Sequence, residues 1–361
     1  MSCRKVRAAS AALITALAAC SGGSSKKAAV AGSLPATADA ERGSSSSSTS
    51  SSSTTTPPPA VAPLTGLPQP DAARLARPAL IVKIDNVQDA RPQAGITKAD
   101  VVFEEEVEGG LTRLAAVFQS ADGDPVGPVR STRTSDIDIV SLLNHPLYAF
   151  SGGNRRFVTE IDASGMVDVG YSARPGDYYT SRGAAPHNLY TRTSSLYASA
   201  PAGAGIPPPL FSFRPSGAAP VNGGAQPAIQ ASVGWPASSA GWTWDGSSQT
   251  WKRTQNGTAD VDQTGQRVAA ANVIIQSITY VADGVASGEG INPPPPIPKA
   301  VLVGQGDVWV LTGGSVIKGH WSRPSSTVAT QYTDAAGAPI ELAPGQTWVE
   351  LTPAGTAPTV S

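Results

Sequence analysis

Short apolar runs and alternating apolar and polar positions recur between about residues 75 and 215. The runs in ALIVKIDN, ADVVFEEEVEGG, LTRLAAVFQS and HPLYAFSGG are typical of β-strands. The sequence Glu108-Gly109-Gly110 predicts the turn of a hairpin between two of them. Ser135 is predicted to cap a short helix, and RRFVTEIDA and TSSLYASA are further helix candidates. The pattern therefore predicts an α+β or α/β N-terminal domain over 75–215.

Residues 228–355 have a different pattern, which is typical of β-strands throughout and contains all seven tryptophans. Trp242 and Trp244 are predicted on one strand face, with a turn at Asp245-Gly246 that leads back to Trp251. Such an aromatic cluster either forms the core of a β domain, which we favour, or stacks on sugar rings. We predict a mainly β C-terminal domain, separated from the first by the Pro- and Gly-rich stretch 200–230.

The N-terminus predicts export and lipid attachment. Basic residues at positions 4, 5 and 7 precede the apolar run AASAALITALAA, which is too short to span a bilayer, and the run ends in Leu17-Ala18-Ala19-Cys20. This ending resembles a bacterial lipobox and predicts that the signal peptide 1–19 is removed and Cys20 is lipidated. An ordinary signal peptide with an incidental cysteine is the alternative. Cys3 would leave with the signal, so the mature chain would have no disulfide.

Residues 20–72 are predicted to be a disordered tether. The run SSSSSTSSSSTTTPPP lacks the apolar side chains needed to offset the entropy of ordering the chain. The folded part would then be held at the outer face of the cell membrane and within reach of the cell wall. A formal net charge of -1, from 26 basic and 27 acidic residues, gives no electrostatic reason to expect a nucleic-acid partner.

An ordered series of motifs carries a family resemblance. KIDNVQDARPQAGITKADVVFEEEVEGGLTRLAAVFQS is followed by GPVRSTR, FSGG and RGAAPHNLY, and later by GSVIKGHWSRP and IELAPGQTWVEL. This series resembles the YerB-like family of bacterial lipoproteins, whose domains are of unknown function. The resemblance implies two domains behind a lipid anchor and implies no activity.

The carboxylates of FEEEVEGG allow two interpretations. In a strand over 101–108, Glu104, Glu106 and Glu108 would share one face, and Glu105 would lie on the other with apolar neighbours. Three carboxylates on one face either form surface pairs with nearby arginines or serve a functional site. The periodicity leaves both interpretations open.

The stretch GPVRSTRTSDID at 127–138 suggests a site for an anion. If a helix begins at Ser135, Arg130 and Arg133 lie just ahead of its N-terminus, where backbone N–H groups favour a phosphate or pyrophosphate. The alternative is internal, with Asp136 and Asp138 neutralising the helix start and the arginines binding Glu104 or Glu108. We expect the anion site, by a narrow margin.

Other candidate chemistry is sparse. His187 in APHNLY is a candidate acid, base or ligand, although a structural role is more common for a single loop histidine. Ser151 in FSGGN is a conceivable nucleophile, but Gly152-Gly153 more simply indicates a tight loop. Asp85, Glu104 and Glu108 could together hold a divalent cation; otherwise the cofactor is unknown and no metal is predicted. P-loop, G-x-S-x-G, H-E-x-x-H and dinucleotide motifs do not occur in the sequence.

The functional expectation is a lipid-anchored protein of the cell envelope. We expect it to bind an anionic or glycan ligand associated with the wall, in the N-terminal domain. The alternatives are a phosphotransferase or hydrolase similar to the LytR-CpsA-Psr enzymes, acting on a polyprenyl-linked precursor, and a scaffold of a membrane complex. The candidate ligand-binding residues are Asp85, Asn86, Arg91, Glu104, Glu108, Arg113, Arg130, Arg133, Ser151, Arg182, His187 and Asn188.

Overall fold

The computed structural model describes residues 60–201, 204–221, 224–285 and 296–361. The predicted signal peptide, Cys20 and most of the predicted tether lie outside these residues. All of the described residues belong to one compact unit. No helix in the described ranges is both long enough and apolar enough to cross a membrane.

The N-terminal region contains short helices and strands in alternation. Its helices are α1 (Ala72–Ala76), α2 (Ser135–Val140), α3 (Arg155–Ala163) and α4 (Thr193–Ala198). Its strands are β1 (Leu80–Asp85), β2 (Val101–Glu106), β3 (Thr112–Phe118), β4 (Leu147–Ala149), β5 (Val167–Asp168), β6 (Tyr178–Thr180) and β7 (Leu189–Thr191). Short 3-10 turns occur at Gln88–Ala90, Ile96–Lys98, Glu108–Gly110 and Pro175–Asp177.

The C-terminal region is built from strands throughout its described residues. They are β8 (Gln226–Pro227), β9 (Gln230–Trp235), β10 (Ser238–Asp245), β11 (Thr250–Gln255), β12 (Thr258–Ala259), β13 (Ala269–Ala270), β14 (Asn272–Val285), β15 (Pro296–Val301), β16 (Gly304–Thr312), β17 (Ser315–Arg323), β18 (Gln331–Asp334), β19 (Thr347–Pro353) and β20 (Thr359–Val360). The prediction of a mixed helix-and-strand region followed by a mainly β region is confirmed.

One large sheet runs through both regions. Its order is β18-β17-β16-β14-β19-β2-β3-β1-β4-β5. In addition, β15 pairs with β14, and β8 pairs with β17. Strand β19 lies between β14 and β2 and is parallel to both. The C-terminal strand β19 therefore completes the sheet of the N-terminal region.

Each face of this sheet carries its own core. On one face, Val82 and Leu114 belong to the same buried cluster as Trp242 and Trp348, beneath a second sheet of order β12-β11-β10-β9-β20. On the other face, Ile81 and Val117 belong to a cluster that contains Tyr148 and residues of α2 and α3. The candidate site lies on this second face, at the end of β1.

Local sequence signals account for several elements. Strands β2 and β3 pair antiparallel across the predicted turn at 108–110. Helix α3 matches the predicted RRFVTEIDA segment and is capped by the Asn154 side chain, which accepts from the Arg156 N–H. The prediction for Ser135 is wrong, because the helix begins at Ser135 itself and Thr134 occupies the N-cap position. The Ser135 hydroxyl instead accepts a hydrogen bond from the Ala300 N–H.

The tryptophans lie mostly in the core. Trp235, Trp242, Trp251, Trp321 and Trp348 are each at most 6% exposed. The predicted contact across the β10–β11 hairpin is present, with Trp244 and Trp251 ring centroids 5.2 Å apart. This burial supports the core interpretation over sugar stacking for these rings.

Candidate functional site

The candidate site begins with a row of charged residues across three strands. Asp85 on β1 faces Arg113 on β3, and Arg113 also faces Glu105 on β2. Residues directly opposite each other in antiparallel strands point to the same side of the sheet, so the three side chains share one face. Asp85 and Glu105 are fully buried, and Arg113 is 8% exposed.

The segment 126–130 extends the sheet locally beside the end of β1. The Asp85 N–H donates to Pro128 O, and the Arg130 N–H donates to Lys83 O. On its other side, the Val129 N–H donates to Leu189 O at the start of β7. This position places Arg130 between β1 and the loop 181–188, which carries His187.

Asp85 is the carboxylate that Arg130 and His187 share. Its Oδ2 lies 2.8 Å from Nε of Arg130 and 2.7 Å from Nδ1 of His187. The Arg130 and His187 side chains are 18% and 20% exposed, so both reach the surface from a buried carboxylate. Arg130 therefore forms an ion pair within the chain, but its partner is Asp85 and not the predicted Glu104 or Glu108.

Arg133 does have one of the expected internal partners. Its Nη2 donates to Glu108 Oε1 at 2.7 Å, and its Nε donates to Oε2 at 3.2 Å. Glu108 follows the end of β2 in the 108–110 turn. Burial raises the pKa of Glu108, but the charge and hydrogen bonds of Arg133 outweigh it and leave that pKa below its ordinary value.

Arg113 has no comparable partner. Its Nη1 donates to Ser131 O at 3.2 Å, and no carboxylate of the described chain lies within ion-pair distance of its guanidinium. Burial lowers the pKa of Arg113 to about 10, with the charges of Arg133 and Arg130 acting in the same direction. The arginine cluster of Arg113, Arg130 and Arg133 thus carries more positive charge than Asp85 and Glu108 neutralise.

The predicted anion site at the start of α2 is not available. Asp136 Oδ2 accepts from the Arg133 N–H at 2.7 Å and from the Tyr148 hydroxyl at 2.6 Å. A carboxylate of the chain therefore already occupies the helix start, as the internal alternative proposed for Asp136. The guanidinium groups are therefore the remaining donors for an external anion in this segment.

A buried ion cluster beneath the site was missed by the sequence analysis. The Lys83 ammonium contacts Glu105 and lies 2.7 Å from Asp136, and all three residues are fully buried. Burial raises the pKa of Glu105, although the Lys83 charge opposes this. The sequence contained a signal for this cluster, because a lysine at the centre of the apolar strand LIVKID needs buried carboxylate partners.

Glu104 and Asn86 lie on the opposite face and belong to a different network. Glu104 accepts from Thr112 Oγ1 at 2.6 Å, from Arg253 Nη2 at 2.5 Å and from Asn86 Nδ2 at 3.0 Å. Arg253 in turn contacts Asp260 at 2.5 Å. The predicted alternation holds within β2, but Glu104 and Glu108 do not meet at a common site, because Glu108 lies beyond the strand.

The predicted set of cation ligands is likewise separated. Asp85, Glu104 and Glu108 each contact a different arginine: Arg130, Arg253 and Arg133 respectively. No three His, Cys, Asp or Glu residues in the described parts of the chain are grouped closely enough to hold a metal ion. The structure therefore does not bring these three carboxylates together at one site.

The remaining candidates divide between the site and its surroundings. The Ser151 N–H donates to Arg130 O, and Asn188 O accepts from the Ser181 N–H at the base of the loop that carries His187. Arg182 is exposed in the same loop. Arg91 lies apart, beside Gln255 and Asp260 in a separate cavity. The structure thus groups Asp85, Glu108, Arg113, Arg130, Arg133 and His187, with Ser151 nearby.

Comparison with known proteins identifies the family. Residues 64–205 match "Protein of unknown function (DUF3048) N-terminal domain", and residues 231–349 match the corresponding C-terminal domain. The chain therefore belongs to the DUF3048 family, and the resemblance to YerB-like proteins is confirmed.

A relative in Bacillus subtilis (strain 168), described as "Putative lipoprotein YerB", is 26% identical over 311 residues, which cover 81% of this chain and 86% of that protein. The crystal structure of the Bacillus subtilis YerB protein matches with a TM-score of 0.69 at 23% identity. That match covers 84% of this chain and 99% of the YerB chain, and it supports the fold.

Proposed function

We propose that this protein is a lipid-anchored, extracytoplasmic member of its family that binds an anionic ligand of the cell envelope at the arginine cluster. The observation that carries the proposal is Arg113, a buried guanidinium with a single backbone acceptor and no carboxylate partner among the described residues. A buried charge is costly unless it is paired, and an external anion would supply the missing partner.

Arg130 adds a second guanidinium with unused donors. Its Nε is 2.8 Å from Asp85, but the geometry is not that of a hydrogen bond, and Nε has no hydrogen-bond partner in the described chain. Nε itself is buried, but the Arg130 side chain is 18% exposed, so a ligand can reach its terminal Nη groups from solvent. A phosphate or carboxylate matches the paired N–H groups of a guanidinium, which favours an anion over a neutral sugar as the group recognised.

The location rests on the N-terminal sequence and on the relative. The predicted lipidation at Cys20 and the Ser/Thr/Pro-rich tether would hold the folded part outside the cell membrane, and a relative of similar length is described as a putative lipoprotein. A glycan of the wall that carries phosphate or carboxylate groups would be both a glycan and an anion, which are the two kinds of ligand expected from the sequence. A purely structural scaffold has no observation in its favour at this site.

The experiment is a thermal melt of the full-length protein with phosphate, pyrophosphate and an equal concentration of chloride. We expect the wild-type melting temperature to rise with the anion, as it does when a ligand binds only the folded state. Arg113→Gln should melt without this response. Lys318→Gln, which removes one charge from an exposed position on β17, is the matched control and should respond as the wild type does. An anion response retained in Arg113→Gln would contradict the proposal.

A further inference from the structure

The contact between Asp85 and His187 orients the imidazole so that the site contains a proton acceptor as well as positive charge. Nδ1 of His187 lies 2.7 Å from Oδ2 of Asp85. An ionised carboxylate only accepts hydrogen bonds, so the neutral His187 ring that bonds to Asp85 carries its proton on Nδ1 and keeps a lone pair on Nε2. Nε2 has no hydrogen-bond partner among the described residues, and the side chain reaches solvent.

This lone pair lies beside the groups that would hold an anion. His187 and Arg130 approach the same oxygen of Asp85, so the imidazole and the guanidinium meet at one atom. Arg113 faces Asp85 directly across the β1–β3 pair. The proton acceptor of His187, the partly exposed Arg130 and the largely buried Arg113 are therefore all neighbours of Asp85.

We propose that this site hydrolyses a phosphoanhydride, with His187 as the general base; the inference rests on the proposed anion site. A phosphoanhydride suits the arrangement because its leaving group is itself a phosphate, whose developing charge guanidinium groups neutralise directly. An alkyl phosphate ester would require a proton donor for its leaving alkoxide. The substrate class is therefore a molecule that ends in a diphosphate.

The reaction step is a displacement by water. As the water oxygen forms a bond to the terminal phosphorus, one water proton passes to Nε2 of His187. The bridging P–O bond breaks and its electron pair remains on the leaving phosphate, beside Arg113 and Arg130. The proton on His187 then passes to solvent, and the products are two phosphates. Asp85 is a positioning residue, because it fixes the ring through Nδ1.

The test uses full-length protein, inorganic pyrophosphate as substrate, EDTA in the buffer and orthophosphate release as the readout. Methylenediphosphonate, which water does not cleave, measures binding separately. We expect wild-type turnover and a loss of about 100-fold or more in His187→Gln, the usual contribution of a general base. His187→Gln should still bind methylenediphosphonate, and added imidazole should restore part of the turnover of His187→Ala. Asp85→Asn should lower kcat with little change in KM.

His320→Gln is the matched control, because His320 forms an exposed pair with Asp307 on β17 and β16, at 3.3 Å. It should hydrolyse pyrophosphate at the wild-type rate. Wild-type protein that binds methylenediphosphonate but releases no orthophosphate overturns the hydrolytic role and leaves the anion site standing. Turnover that survives in His187→Gln overturns the assignment of His187 as the general base. Failure to bind either anion overturns both proposals.

Discussion

The ammonium group of Lys83 lies 2.7 Å from Asp136, in the interior and out of contact with solvent. The second partner of the lysine is Glu105 on β2, and strand β3 lies between β2 and β1 in the sheet. Asp136 also accepts from Tyr148 and from the backbone at Arg133, so this contact links the centre of β1 to the segment that carries two arginines of the site.

Replacing Lys83 by Met should destabilise the protein by about 3 to 5 kcal/mol, because it leaves buried carboxylates without their cation. Chemical denaturation measures the loss. Lys83→Met combined with Glu105→Leu is the matched comparison: the double variant should be more stable than the single one, since Asp136 keeps its other donors. A single variant that unfolds at the wild-type denaturant concentration would show that the ion cluster contributes little.

Arg113 should behave in the opposite way to Lys83. Its folded pKa of about 10 lies below the ordinary value for arginine, so the folded state disfavours the charged form at neutral pH. The unfolded chain therefore holds more protons above pH 10, and this group makes the protein more stable as pH rises through that range. At pH 7, Arg113→Gln should leave the free energy of unfolding unchanged or raise it, by up to about 3 kcal/mol. A large loss in a denaturant titration would mean that Arg113 is structural.

Arg133 differs from Arg113 because its partner belongs to the chain. Arg133→Ala removes the paired hydrogen bonds to Glu108, whose side chain is 21% exposed. We expect a loss of about 1.5 to 3 kcal/mol, the usual range for hydrogen bonds to a charged group. Glu108→Gln, which keeps an acceptor, should lose less. Equal stability of Arg133→Ala and wild type in thermal and chemical melts would count against this assignment.

The anchor is tested by Cys20→Ser. The described residues include no helix long and apolar enough to hold the protein in a membrane, and the sequence predicts lipid attachment at Cys20. The variant should appear in the medium or remain unprocessed, as judged by membrane fractionation and the mass of its N-terminus. Membrane retention equal to that of the wild type, reversed only by detergent, would require another anchor.

Division of the chain between 215 and 228 should yield two fragments that do not fold separately. Strand β2 would lose its neighbour β19, and β19 would lose β2, which leaves exposed sheet edges in both fragments. We expect the separate fragments to be insoluble and the co-expressed pair to assemble, as judged by size-exclusion chromatography and circular dichroism. A stable, soluble N-terminal fragment with native-like circular dichroism would disprove the dependence.

Patterns within short stretches of the sequence predicted the strands and hairpins that those stretches form. The alternation in FEEEVEGG located β2 and its hairpin, and the WTWDGSSQTW spacing located the Trp244–Trp251 contact. The pairing of β19 with β2 joins residues about 250 positions apart, and no periodicity records which distant strand will be the neighbour.

The partners of Arg130 show the same limit. Sequence spacing made Glu104 and Glu108 equally good candidates, but side-chain direction puts Glu104 on the far face and Asp85 beside Arg130. His187 could be singled out as a titratable loop residue, whereas its contact with Asp85 depends on how segment 126–130 lies between β1 and β7. Ser135 had the residue type of a cap, yet a neighbouring backbone N–H from β15 uses its hydroxyl.

The place of β19 also determines when the fold can be completed. A chain is synthesised from its N-terminus, so strands β1 to β3 emerge from the ribosome long before residues 347–353. Until those last residues follow, β2 keeps one row of unpaired backbone groups, which is a site for pairing with other chains. Synthesis therefore has to reach residues 347–353 before the central sheet closes, and a chain stalled near its C-terminus would remain prone to aggregation.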